Sequence, residues 1–307
     1  MSPFFHFYAE PMLTRQIVHF TAHLRWPYQI LLLSGTYGIS ILFVQEPDFC
    51  LFTEYFLLWH LGLYGGATAF NSYWDKDEGP IGGLKNPPPM RPWMRWASFF
   101  LMMVPAPFLM YDIVSDTLPL VSMGVYVLSF FLFWAYSSPV IRWKGHPYLS
   151  VLVIFLSTGT NGFFMGYFSS SGMSFSLLSV LAALGVASIL VSLYPISQLF
   201  QLEEDEQRGD HTLALQIGVK SVRTYYSIMY SFGTILLSGS LSLINPGLAV
   251  FFFIASLTGF SLTYSVLHKL RGTEKEYKQV MSIKYLSSFS FLLYILIAAW
   301  YLHASLK

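Results

Sequence analysis

Apolar residues fill nine stretches of this chain, most of them close to the length that the hydrocarbon core of a bilayer demands, with the polar residues gathered between them. The stretches are 27–45, 50–74, 96–111, 118–136, 148–168, 176–200, 224–244, 247–267 and 283–302. This pattern predicts an all-α, polytopic membrane protein of nine transmembrane helices. The third stretch is short and carries Pro105 and Pro107, so it is expected to kink or to re-enter the bilayer from one side. Without it eight spans remain, and the topology of everything downstream reverses.

The basic residues decide between the two counts. Arg15 and Arg25 precede the first span, and Lys76, Lys85, Arg91 and Arg95 follow the second. Arg142 and Lys144 follow the fourth, and Arg208, Lys220 and Arg223 follow the sixth. Lys269, Arg271, Lys275, Lys278 and Lys284 lie around the gap before the ninth. Nine spans place all sixteen on one face and only Lys307 on the other; eight would scatter them. The positive-inside rule makes the basic face cytoplasmic, with the N-terminus inside and the C-terminus outside. The expected location is therefore an integral one, taken as a bacterial inner membrane. Glu10 and Arg15, ahead of any long apolar run, do not follow the plan of a cleavable signal peptide.

Composition narrows the classes further. A chain 54 % hydrophobic and 11 % charged is no ordinary soluble domain. A net charge of +1 gives no sign of nucleic-acid binding, and the single cysteine, Cys50, excludes an internal disulfide framework and a cysteine-cluster metal site. Aromatics at 18 % suit interfacial belts and the walls of an apolar pocket.

Half of the sixteen carboxylates sit in two clusters, each at the end of an apolar span. The first is Asn71-Ser-Tyr-Trp-Asp75-Lys-Asp77-Glu78. On a continuing helix Asn71, Asp75 and Glu78 share a face, and Asp77 points elsewhere. The second is Gln201-Leu-Glu203-Glu204-Asp205-Glu206-Gln-Arg208-Gly-Asp210. Here Gln198, Gln201, Asp205 and Arg208 share a face with Glu204 at its edge, Glu203, Glu206 and Asp210 are expected in solvent, and Gly209 breaks the helix. Both clusters fall on the cytoplasmic face. Two parallel four-helix halves followed by a ninth helix, within one domain of residues 1–307, would bring them together across a central cavity. An oxygen-rich pocket of this kind suits Mg²⁺ and a phosphorylated ligand. Arg142, Lys144 and Arg208 are the bases chosen to meet the phosphate. In the fifth span Asn161 stands among glycines at helix-packing spacing and is a candidate for the cavity wall. His60 and Glu54 show no partner in the sequence, and Cys50 is taken as inert.

The combination resembles the UbiA superfamily of intramembrane prenyltransferases. Residues 71–78 resemble the family's N-D-x-x-D-x-x-x-D motif after the second helix, and residues 201–213 its D-x-x-x-D-x-x-x-G-x-x-T motif after the sixth. Ser72, Gly79 and Gln201 depart from the acids usual at those positions. The family's Tyr-x-x-x-Lys element finds Tyr136 but Val140, with Arg142 and Lys144 the nearest bases. The resemblance implies a UbiA-like bundle, with a polyprenyl diphosphate held by Mg²⁺ and its isoprenoid tail in the apolar interior. Asn71, Asp75, Glu78, Gln201, Glu204 and Asp205 are then the expected metal shell, Asp75 and Asp205 being the catalytic pair. Tyr73, Tyr136, Asn161, Tyr194 and Gln198 are the expected walls for prenyl group and acceptor. The implied reaction moves a prenyl group to an aromatic or quinone-precursor acceptor. A terpene cyclase on the same scaffold, or a transporter, are the alternatives.

Overall fold

The computed structural model describes residues 12–304; Glu10 and Lys307, used in the topology argument, lie outside them. Fourteen α-helices follow one another: α1 Met12–Leu24, α2 Trp26–Gly38, α3 Phe49–Leu57, α4 Gly65–Asp75, α5 Pro92–Met103, α6 Pro105–Val114, α7 Val121–Ser137, α8 Pro147–Val153, α9 Asn161–Ser169, α10 Leu177–Ser192, α11 Leu202–Arg208, α12 Leu213–Ser242, α13 Pro246–Leu267 and α14 Tyr277–Ala304. Among the described residues there is no strand, only an isolated bridge between Ile81 and Leu84. Local chemistry marks the starts. Asp48 accepts from the N–H groups of Cys50 and Leu51, both at 2.9 Å, and Pro92, Pro147 and Pro246 open helices where their missing N–H costs nothing.

Five helical runs are long and apolar enough to cross a membrane: Pro92–Val114, Pro147–Ser169, Leu177–Arg208, Pro246–Leu267 and Glu274–His303. Val121–Ser137 is a shorter apolar helix. The remaining expected spans also fall on helix. Trp26–Gly38 continues into the 3-10 turn Ile39–Phe43, α3 and α4 are joined by Leu58–Tyr64, and 224–244 lies within α12. Pro105 and Pro107 interrupt the bonding of the third stretch, yet Val104 keeps helical dihedrals (φ −52°, ψ −39°). The chain therefore runs on as one helical segment, Pro92–Val114.

Two segments, Leu58–Tyr64 and Ile154–Thr160, widen into π-helix. Such wider turns displace side chains from the α-helical register and recur at functional sites. The first carries His60, whose ring is fully buried, stacks on Phe56 at 4.1 Å and places Nδ1 2.8 Å from the Phe56 carbonyl. His60 thus has local partners that the sequence did not reveal. The second brings Gly159 against α10: a Cβ there would stand 2.5 Å from the Ala187 Cβ. Interiors of this kind rely on close backbone approach. Gly159→Val is expected to cost about 1–3 kcal/mol through overpacking and to lower the unfolding midpoint of the detergent-solubilised protein; an unchanged midpoint would contradict this contact.

The larger core gathers Tyr37, Trp59, Tyr64, Phe163 and Phe168, and a smaller one lies around Ile196, Leu199, Tyr226 and Leu267. α13 and α14 turn large apolar side chains outward, among them Ile254, Leu257, Phe289 and Leu296. An outer surface of that kind needs hydrocarbon around it.

Candidate active site

The two acidic clusters meet. α4 ends at Asp75 because Lys76 takes left-handed dihedrals (φ 54°, ψ 39°). That turn ends the continuing helix assumed from the sequence and exchanges the next two acids. Asp77, expected to point away, reaches Arg208 Nη1 at 2.6 Å. Glu78, expected on the metal face, is exposed and contributes only its backbone N–H, donated to Glu204 Oε1 at 3.3 Å.

The second cluster is reached through the 3-10 segment Pro195–Gln201, which shifts the angular register before α11 begins. Gln198 is consequently spent elsewhere: its Oε1 accepts from the Ala214 N–H at 3.0 Å, in the first turn of α12. Gly209, at φ 75°, closes α11 in the left-handed conformation that favours glycine. The reversal carries Asp210 inward. Expected in solvent, it is 3 % exposed and holds Arg142 in a two-pronged grip, Nε to Oδ1 at 2.9 Å and Nη2 to Oδ2 at 2.8 Å. Glu203 and Glu206 are exposed.

A third element completes the cluster. Arg142 turns left-handed (φ 45°) after α7 and leads into the 3-10 turn Trp143–Gly145. Lys144 Nζ lies 2.5 Å from Asp75 Oδ2 and 3.8 Å from Asp210 Oδ2, and Arg142 Nη1 is 3.5 Å from Asp75 Oδ1. Arg208 meets Glu204 at 3.1 Å and Asp205 at 3.9 Å. Five carboxylates (Asp75, Asp77, Glu204, Asp205, Asp210) thus surround three bases (Arg142, Lys144, Arg208), a formal excess of two acids. Burial lowers the pKa of Arg142, but its bonds to Asp210 and the field of Asp75 outweigh burial and hold it above the ordinary guanidinium value. Among the described residues no three acids, histidines or cysteines converge on one point as a preformed metal centre. The donors are nevertheless all hard oxygens with surplus negative charge. That set fits a Mg²⁺ ion sharing its coordination with phosphate oxygens better than a caged ion.

One helical turn inward the cluster gives way to a cavity of about 260 Å³. Asn71 and Gln201 stand on its wall, as do Tyr136 and Tyr194, whose hydroxyls lie 2.9 Å apart. A second, more apolar cavity of about 480 Å³ adjoins it, sharing Leu32, Leu190, Leu193 and Ser288.

Two further expected wall residues lie elsewhere, as Gln198 does. Tyr73 packs beside Trp74 with the Arg95 guanidinium 5.9 Å from its ring. Asn161 is buried against α7, donating to Ser129 Oγ at 2.9 Å, because the glycines around it draw α9 too close to its neighbours to leave it a free face. Sequence reasoning missed Asp77 and Asp210. It also counted Arg25 and Lys284 only as topological charges, although both line the cavity. Gly209 was the available signal for Asp210, since a left-handed cap redirects the residue after it.

The sequence model of the UbiA prenyltransferase family matches residues 31–292. Solved structures share the fold at low identity. A UbiA homologue from Archaeoglobus fulgidus bound to GPP and Mg²⁺ superposes with a TM-score of 0.67 and 15 % identity over 92 % of this chain and 99 % of that one. The same homologue bound to DMAPP and Mg²⁺ gives 0.63 and 15 %, over 91 % and 99 %. A structure described for digeranylgeranylglyceryl phosphate synthase gives 0.60 and 13 %, over 93 % and 99 %. No curated protein is near enough in sequence to match.

Proposed function

The chain belongs to the UbiA prenyltransferase family, and from that premise we propose that it transfers a polyprenyl group from its diphosphate to an aromatic or quinone-precursor acceptor within the membrane. The observation that carries this reading is the meeting of residues 75–77 and 204–210 in one ion cluster above a cavity. Structural relatives that bind GPP or DMAPP with Mg²⁺ support it.

Arg142, Lys144 and Arg208 would turn from their carboxylates to the diphosphate oxygens, a geometry that arginine forks suit. Asp75 and Asp205, with Glu204 and the amides of Asn71 and Gln201, would hold Mg²⁺. When bound, the ion supplies Lewis-acid neutralisation of the departing diphosphate. Tyr136 and Tyr194 line the cavity, where their rings would stabilise the allylic cation. The apolar walls keep water from capturing that cation before the acceptor does. The bias of basic residues supports nine crossings, with this site on the cytoplasmic side and the C-terminus outside.

The test incubates purified protein and Mg²⁺ with radiolabelled geranyl diphosphate and a lipid extract, and identifies the product by mass spectrometry. A prenylated acceptor is expected. A cyclic hydrocarbon formed without any acceptor would replace transfer by cyclisation, and intact geranyl diphosphate would sink both.

A further inference from the structure

α1 precedes the first expected span, yet its outward side is largely apolar. Met12, Leu13, Ile17 and Val18 are all exposed, whereas Phe20 and Leu24 turn toward the protein. Its contacts fix where the helix lies. Phe20 packs on Trp93 with ring centres 5.4 Å apart, and Trp93 Nε1 donates to Gln16 Oε1 at 2.8 Å, so the middle of α1 rests on the first turn of α5. Its end is joined to α2 by one residue, Arg25, whose left-handed dihedrals (φ 49°, ψ 35°) turn the chain sharply. His23 Nε2 lies 2.7 Å from the Pro88 carbonyl, which ties the same end to the loop before α5. The distance from Gln16 to Arg25 is about 14 Å of helix. α5 opens a run long enough to cross a membrane, and α2 opens the first expected span. α1 therefore reaches from the start of one to the start of the other, and lies along the membrane surface.

The charge on this surface has one sign. Neither residues 12–25 nor residues 85–103 contain an acid. Arg15, Lys85 and Arg91 are exposed there and belong to none of the ion pairs among the described residues. Arg95 sits 4.9 Å from the centre of the Trp96 ring, and the indoles of Trp93 and Trp96 are themselves exposed. Exposed apolar residues, indoles and free bases together are what a helix lying in a bilayer interface presents. Acyl chains cover the apolar residues and headgroup phosphates meet the bases; no neutral protein surface does both.

We propose that α1 and the first turn of α5 form a docking surface for anionic phospholipid. Met12, Leu13, Ile17 and Val18 sink to the acyl boundary, and Arg15, Lys85 and Arg91 meet headgroup phosphates. None of these seven residues lines either cavity or joins the acidic cluster, so the assignment stands apart from the prenyl-transfer reading.

Lipid quenching in the full-length protein tests it. A fluorophore is attached at Ile17→Cys, with Cys50→Ser removing the native exposed thiol, and the protein is placed in nanodiscs of phosphatidylcholine. Phosphatidylglycerol or phosphatidylcholine carrying a nitroxide near the top of one acyl chain is then titrated in, and quenches on contact. Both lipids are expected to quench, phosphatidylglycerol at a mole fraction about fivefold or more lower, the scale set by one base at a membrane surface. Arg15→Gln/Arg91→Gln is expected to bring the two lipids within about twofold of each other, and Arg15→Lys/Arg91→Lys to keep them apart. The same fluorophore at Lys275→Cys, an exposed loop position, is expected to be quenched by neither. A label at position 17 that neither lipid quenches would mean that water or a second copy of the chain occupies this face, and would overturn the proposal. Equal quenching by the two lipids in the otherwise unmutated protein, or a preference that survives Arg15→Gln/Arg91→Gln, would overturn it as well.

Discussion

Asp75→Ala and Asp205→Ala are each expected to reduce Mg²⁺-dependent diphosphate release by at least about a hundredfold, the scale on which loss of one charge-stabilising group acts. The measurement is phosphate release from geranyl diphosphate, coupled to a pyrophosphatase, on protein shown to be folded by its elution and unfolding profile. Both residues are buried, and they arrive from different helices at one cluster. Loss of either removes an oxygen donor, and loss of Asp75 also leaves Lys144 with Asp210 alone, at 3.8 Å. Raising Mg²⁺ should restore part of the rate in Asp205→Asn, where an amide oxygen remains, and none in Asp75→Ala. Turnover near the unmutated rate in either alanine variant would remove the metal assignment.

The second large effect concerns a residue at a variable position of the second motif. Asp210→Ala is expected to lower kcat/KM for geranyl diphosphate by about tenfold or more and to destabilise the fold by roughly 1–3 kcal/mol, less than a fully buried pair because Arg142 is partly solvated. The reason is geometric. Asp210 fixes both prongs of the Arg142 guanidinium, so without it the arginine can rotate away from the position that meets Asp75. If Asp210 acts through Arg142, the double variant Arg142→Ala/Asp210→Ala should be no slower than Arg142→Ala alone. Additive losses would show that Asp210 has a separate role.

How much of this was legible in the sequence follows from which physical rule each step used. Apolar length and the bias of basic residues are properties of the solvent, so helical runs appear wherever the apolar stretches stand, and the two motifs do converge. Angular position was less legible, because it assumed an unbroken 3.6-residue repeat. Lys76 breaks that repeat after Asp75, and the 3-10 segment Pro195–Gln201 breaks it before α11. Asp77 and Glu78 therefore exchanged places, and Gln198 went to α12. Asn161 was misplaced for another reason: among glycines, close packing takes up the polar group before a cavity can. Arg25 and Lys284 were hidden because a base near a membrane face has an ordinary explanation. Only the fold shows that both line the cavity.

The left-handed turn at Lys76 gives an exposed residue, absent from the ion network, authority over which carboxylate enters it. Its side chain is chemically idle; its backbone works as a selector. Glycine at that position would keep the setting without strain, whereas a β-branched residue would push the chain back toward continued helix and swing Asp77 off Arg208. Variation at position 76 should thus alter the site with no change in any group that touches a substrate.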